Sequence, residues 1–254
     1  MYYMAVKSAE RVLKIFELLE GSSDGLTNKD ISTCLNYAPS STIALLQTMA
    51  ENGYLAVDEQ KRYSLGGKLV SLGAVAASRF DIGRMATPYL KRLMQTLGET
   101  CFLGVLSQGE IVYIAKENCE RTINTNAQIG SRKPVYCTGL GKAFLSFLPP
   151  EESRDIMTGL EFTAFTENTV KNVEELRKQL QEFRLQGYAT DDQEIEEGLW
   201  CLAVPVYDGY HRMIAAISVS GPKERMMDKK ELIIEEMLKA GKSLSRELGY
   251  QKEE

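Results

Sequence analysis

PSSTIALLQTMAENGYL, residues 39–55, decides how the amino-terminal part of this chain is read. Ile43, Leu46, Met49 and Ala50 recur at the three- and four-residue spacing that lines one face of a helix. Ser40 or Ser41 can accept hydrogen bonds from the free amides of its first turn, and Gly53 is placed to end it in a left-handed conformation. The polar residues left for the other face are Ser40, Ser41, Thr42, Gln47 and Thr48, and the stretch contains no lysine or arginine.

Upstream, Ala9, Val12, Leu13, Phe16 and Leu19 mark a first helix that ends at Gly21. Thr27 followed three residues later by Asp30 predicts a capping box and a short second helix through about Asn36. Downstream, two short strands, 54–57 and 62–65, flank the polar turn 58–61. Three short helices and a hairpin spell a winged helix-turn-helix, whose third helix enters the major groove while the hairpin lies on the backbone.

The cations of this region are nearly matched by acids, and the whole chain of 254 residues carries a net charge of −5. That excludes a nonspecific polyanion binder, since phosphate affinity comes from clustered cations. Base edges would fall to Ser40, Ser41, Thr42, Gln47 and Thr48, the glutamine being able to pair bidentately with adenine. Phosphates would fall to Lys29 and the wing pair Lys61 and Arg62. A protein-interaction module of the same shape is the alternative.

KSAERVLKIFELL (7–19), the third helix and KRYSLGGKLVSLGAVAAS (61–78) together resemble the DNA-binding half of the IclR family of bacterial transcriptional regulators. The resemblance continues in order through PYLKRLMQTLGET (88–100), IGSRKPVYCTGLGKAFLS (129–146), GYATDDQEIEEGLWCLAVPVYDG (187–209) and IAAISVSGP (214–222). It departs from the family at Ala44, where members usually carry an arginine ahead of the paired leucines Leu45 and Leu46. The departure bears on operator sequence and affinity and leaves the fold intact. The resemblance implies an α+β chain: a winged helix-turn-helix over 1–66, a linker helix over 67–80, and a GAF-like effector-binding and oligomerisation domain with an antiparallel sheet over 81–254.

The residues alone support that division. Leu69, Leu72 and Val75 form a helical stripe ending near Phe80. Beyond it, helices through Met85 to Leu97, Leu176 to Phe183 and Leu232 to Leu248 alternate irregularly with hairpins at 100–116 and 200–220. Such segregation favours a largely antiparallel layer.

Three stretches invite chemistry. Gly139-Leu140-Gly141-Lys142-Ala143 is no phosphate loop, because Tyr136 and Ala143 stand where a P-loop needs glycine and a hydroxyl, and Phe144 replaces the third glycine of a dinucleotide fingerprint. It reads as a helix start, either offering the free amides around Thr138 to Gly141, those of Gly139 and Leu140 among them, to a small anion or simply close-packed. The run 191–197 lacks the glycine and ordered ligands of a calcium loop and reads as a solvated acidic turn. By resemblance, however, Asp191 faces the effector, with Cys201 on the next strand and Ser218 and Ser220 on the last. Residues two apart on a strand share a face, so both serine hydroxyls can enter one pocket; the plainer reading packs them under a helix.

Five cysteines show no C-x-x-C spacing and His211 is the lone imidazole, so neither a metal site nor a disulfide framework is expected, and Cys201 has no obvious base. No catalytic residue and no cofactor is expected. The start of the chain lacks a secretory pattern and no apolar run is long enough for a membrane span, which predicts a cytoplasmic protein. The expectation is a regulator, acting as a repressor, that binds a double-stranded DNA operator as a homodimer or a tetramer built as a dimer of dimers. It would answer a small hydroxylated acid or sugar-derived metabolite; an enzyme on the same sensor fold is the rival. An ionised Asp191 close to an acid ligand would repel it, so distance or protonation must separate them. Trp200, beside Cys201, is a candidate fluorescence reporter.

Overall fold

The computed structural model describes residues 6–22, 24–77, 81–122, 125 and 127–251. The chain forms two compact units, Met1–Phe80 and Asp81–Glu254.

The first unit runs α1 (Lys7–Glu20), β1 (Leu26–Thr27), α2 (Asn28–Cys34), α3 (Pro39–Glu51), β2 (Leu55–Val57), β3 (Arg62–Leu65) and α4 (Gly67–Ala77). Its core gathers Ile15, Leu19, Ile31, Leu46, Met49, Leu55 and Tyr63. The inner face of α1 is rotated from the expected stripe: Ile15 is fully buried while Leu13 is 59% exposed and Ala9 is exposed. The capping box forms as expected, with the Asp30 carboxylate accepting from the Thr27 amide at 3.0 Å and the Asp30 amide donating to Thr27 Oγ1 at 3.3 Å. A third strand joins the hairpin, because β1 pairs antiparallel with β3 through Leu26 and Tyr63. Two residues are too short a run for any periodicity to reveal. Gly53 has φ +77°, so a side chain there would be strained. The expected end of the linker helix at Phe80, and the side chain of Val75, lie outside the described residues.

The second unit runs α5 (Ile82–Leu97), β4 (Thr100–Ser107), β5 (Glu110–Glu117), β6 (Arg132–Pro134), α6 (Gly139–Phe147), α7 (Pro150–Thr158), α8 (Val173–Gln186), β7 (Ala189–Asp192), β8 (Leu199–Tyr207), β9 (Met213–Pro222), α9 (Lys223–Met227) and α10 (Lys230–Glu247). Its six strands form one antiparallel sheet in the order β6-β5-β4-β9-β8-β7. The strands alternate their side chains between two cores. Leu103, Leu202, Val204, Ile217 and Val219 pack against α5 and α10, and Phe102, Ile111, Ala203 and Ala216 pack against α6 and α8. The chain is thus an α+β fold with helices on both faces of an antiparallel sheet. No helix among the described residues is long and apolar enough to cross a membrane.

Candidate functional site

The outer face of α3 carries no lysine or arginine, and its one charged residue is the exposed Glu51 at its end. Ser40, Ala44, Gln47 and Thr48 are exposed there, spaced at one helical face. Lys29, Lys61 and Arg62 are also exposed, and the Arg62 guanidinium already donates to the Gly25 carbonyl at 3.3 Å. Two expectations fail at the start of α3. Neither serine caps it: the helix begins at Pro39, with Ala38 as N-cap and no side-chain cap. The Ser41 and Thr42 hydroxyls instead donate back to the Ala38 carbonyl at 3.0 and 3.1 Å. Thr42 is also fully buried, so it cannot meet a base. Proline fits the first helical position because its missing N–H would have been unpaired there.

In the second unit a cavity of about 270 Å³ lies between α6 and the sheet. Cross-strand pairing builds its floor. Asp191 on β7 pairs with Cys201 on β8, Cys201 with Ser220 on β9, and Ala203 with Ser218 on β9. Asp191, Cys201, Ser218 and Ser220 all line the cavity, as do Gly139 and Leu140 at the first turn of α6. The structure therefore brings together all six residues expected of the effector site.

The glycine stretch is close-packed at Gly141 and open to the cavity at Gly139 and Leu140, so the expected free amides are fewer by one. A Cβ on Gly141 would lie 2.3 Å from the Val135 backbone, so this residue is close-packed. Its amide is taken by the Thr138 hydroxyl at 3.2 Å, and Thr138 in turn donates to the Pro134 carbonyl at 2.7 Å. Gly139 and Leu140 face the cavity with amides that the helix itself cannot satisfy.

The acidic run is a solvated turn only in part: Asp192, Glu196 and Glu197 are exposed, but Asp191 and Glu194 turn inward. Asp191 is fully buried and Glu194 is 3% exposed. One Asp191 oxygen accepts from the Glu194 amide at 2.7 Å; the other has no partner among the described residues. Burial pushes this carboxyl up to about 7, against the pull of Lys142. Lys142, on α6, is itself fully buried; its ammonium donates to Glu194, forming an ion pair, and to Gln179 at 2.9 Å. The Thr166 and Thr169 hydroxyls donate to the Gln193 and Glu194 carbonyls, each at 2.6 Å, so the segment that positions Asp191 is fastened from behind.

The Ser220 hydroxyl donates to Cys201 Sγ at 3.0 Å. Burial pushes the Cys201 thiol well above its ordinary value, with Asp191 adding to the rise. A thiol held protonated is a poor nucleophile. His211 packs edge-on against Tyr250 at 5.0 Å. Trp200 belongs to the core on the opposite sheet face from Cys201, so strand alternation removes it as a direct reporter of the cavity.

Sequence reasoning missed Lys133, Tyr113 and Ser131, which also line the cavity. Lys133 sits on the three-residue strand β6, and only that assignment would have told it apart from its neighbour Arg132.

A winged helix carried on one chain with a domain that holds a small polar cavity defines a ligand-responsive DNA-binding regulator. Family comparison agrees. The IclR helix-turn-helix domain matches residues 8–59, and the C-terminal domain of the bacterial transcriptional regulator IclR matches residues 74–246. The chain belongs to the IclR family. It is similar to the HTH-type transcriptional regulator XynR of Escherichia coli strain K12, with 36% identity over 247 residues that span 96% of this chain and 98% of XynR. It is also similar to the HTH-type transcriptional regulator KdgR of Dickeya chrysanthemi, at 36% identity over 96% of this chain and 81% of KdgR. Among solved structures, the Agobacterium tumefaciens repressor BlcR has 28% identity and a TM-score of 0.81, covering 98% of this chain and all of that one.

Proposed function

We propose that this regulator is a repressor that reads its operator with Ser40, Ser41 and Gln47 and holds phosphates with Lys29, Lys61 and Arg62. It releases DNA when a small hydroxylated acid, sugar-derived acids included, enters the cavity of Gly139, Leu140, Asp191, Cys201, Ser218 and Ser220. It acts in the cytoplasm as a homodimer or a dimer of dimers, because a reading face without cations needs two copies at fixed spacing for useful affinity. The resemblance to a protein named as a repressor supports the sense of regulation.

One observation carries the ligand reading: Asp191 is fully buried in a cavity wall with one oxygen unpartnered among the described residues. Buried polar groups are ordinarily paired, so a hydroxyl arriving from a ligand completes an unfinished site. The cavity holds roughly nine waters' worth of volume at about 30 Å³ each, which suits a short-chain acid.

The test is fluorescence anisotropy of the full chain on labelled DNA from upstream of its own gene, titrated with hydroxy acids from glycerate to gluconate. DNA release by at least one acid, lost in Asp191→Ala while DNA binding persists, is the expected result. No DNA binding at low salt would move the chain to the protein-interaction reading.

A further inference from the structure

The reading above leaves open where a ligand's carboxylate sits: the first turn of α6 offers the Gly139 and Leu140 amides to the cavity but no cation. A Cβ on Gly139 would lie 3.8 Å from the Asp191 amide nitrogen and 3.3 Å from Cys201 Cβ, so this turn packs against the strands that carry both residues. The Gly141 amide is already taken by Thr138. Lys142 is no help, because its ammonium is committed to Glu194 and Gln179 and lies 5.5 Å from the centre of the Phe183 ring.

Lys133 meets the requirement. It lies on β6, at the opposite edge of the sheet from the β7 strand that carries Asp191. Its cross-strand partner on β5 is Ile111, which is fully buried in the core beneath α6. Directly paired residues share a sheet face, so the stem of Lys133 points to the cavity side. Arg132, one residue earlier, alternates away and bonds Glu110 and the Ser107 carbonyl. Lys133 is half-buried, lines the cavity, and has no hydrogen bond or ion pair among the described residues. It is the one cation among the described lining residues; Glu196, the other acid of the lining besides Asp191, is exposed.

We propose that Lys133 is the carboxylate anchor of the effector site. The ligand lies across the sheet, with its acid group on the Lys133 ammonium and its hydroxyls toward Ser218, Ser220 and Asp191. This polarity separates the two carboxyls by distance. It specifies a hydroxy monocarboxylate over its neutral counterpart, because a half-buried ammonium left without a partner keeps its desolvation cost when the ligand cannot supply a charge. The inference rests on the effector reading above.

The experiment measures binding of D-glycerate and D-gluconate, each beside its primary amide, to the full-length chain by calorimetry. The wild type is expected to prefer acid over amide by roughly 10- to 100-fold, the size of a hydrogen bond to a charged group. Lys133→Met is expected to erase that preference while still binding the amide. Lys133→Gln, which keeps polarity, guards against a folding defect, and operator binding of both variants reports an intact fold. Acid preference that survives in both variants overturns the anchor and leaves the effector site standing. Failure of the wild type to bind any of the four probes overturns the ligand class, and the anchor with it.

Discussion

Asp191 sits in a wall of buried groups, and its ionisation is the one titration near neutral pH that the cavity contains among the described residues with resolved shifts. Lys142 from α6 and Glu194 beyond β7 are the charged groups that face it. Tyr113 from β5, Cys137 ahead of α6 and Cys201 from β8 stay protonated there, because burial raises each of them, Cys137 to about 12. The fold raises the Asp191 carboxyl from an ordinary 3.8 to about 7. Between those values the folded protein holds a proton that the unfolded chain has lost, so this residue makes stability fall as pH rises toward about 7 and level off above it. Asp191→Asn removes the ionisable group and should flatten that slope, with a gain on the order of 1–3 kcal/mol above neutrality. The same substitution should cost ligand response, a trade that functional sites often show. Ligand affinity of the wild type should rise through about pH 7, since an ionised carboxylate is the better acceptor for a hydroxyl. Melting temperatures and ligand titrations of both proteins across pH check this; parallel profiles would refute it.

At the level of elements, α3 separates stability from reading. Thr42 is buried with its hydroxyl on the Ala38 carbonyl, so Thr42→Val should cost about 1 kcal/mol of stability and leave operator affinity unchanged. Gln47 is exposed, so Gln47→Ala should leave stability unchanged and cost roughly 1–3 kcal/mol of operator binding. Melting curves and anisotropy on the two variants would expose the reverse pattern at once. This contrast also marks what was legible in the sequence. Local chemistry was readable: Thr27 and Asp30 cap α2 as their spacing demands, and Gly53 follows α3 in the left-handed region that its position suggests. Orientation that depends on tertiary neighbours was not. Leu13 and Ile15 are both apolar, and only packing shows which of them enters the core. Asp191 and Glu194 look solvated in a run of acids until Lys142, fifty residues earlier, is seen to neutralise that region. Lys133 became visible only once β6 was paired with β5.

For the whole molecule the decisive quantity is how few phosphates it can neutralise. Each copy offers Lys29, Lys61 and Arg62 beside the reading helix, and Arg62 already shares its guanidinium with the Gly25 carbonyl. Ala44 supplies no cation where the family usually has one, and the net charge of −5 gives no general attraction to DNA. For the dimer proposed above, at most six phosphate contacts follow from two such sets. Each contact contributes about −0.9 to the slope of log affinity against log salt, so a slope of roughly −5 is the steepest expected. Ala44→Arg in both copies should steepen it by up to about 2 and raise affinity at low salt. Anisotropy titrations across a salt series, with the number of copies on the operator fixed by sedimentation, measure both slopes. A wild-type slope near −9 with only two copies on the operator, the value for ten neutralised phosphates, would mean that cations outside the reading head carry the affinity, and the assignment of Lys29, Lys61 and Arg62 would fall.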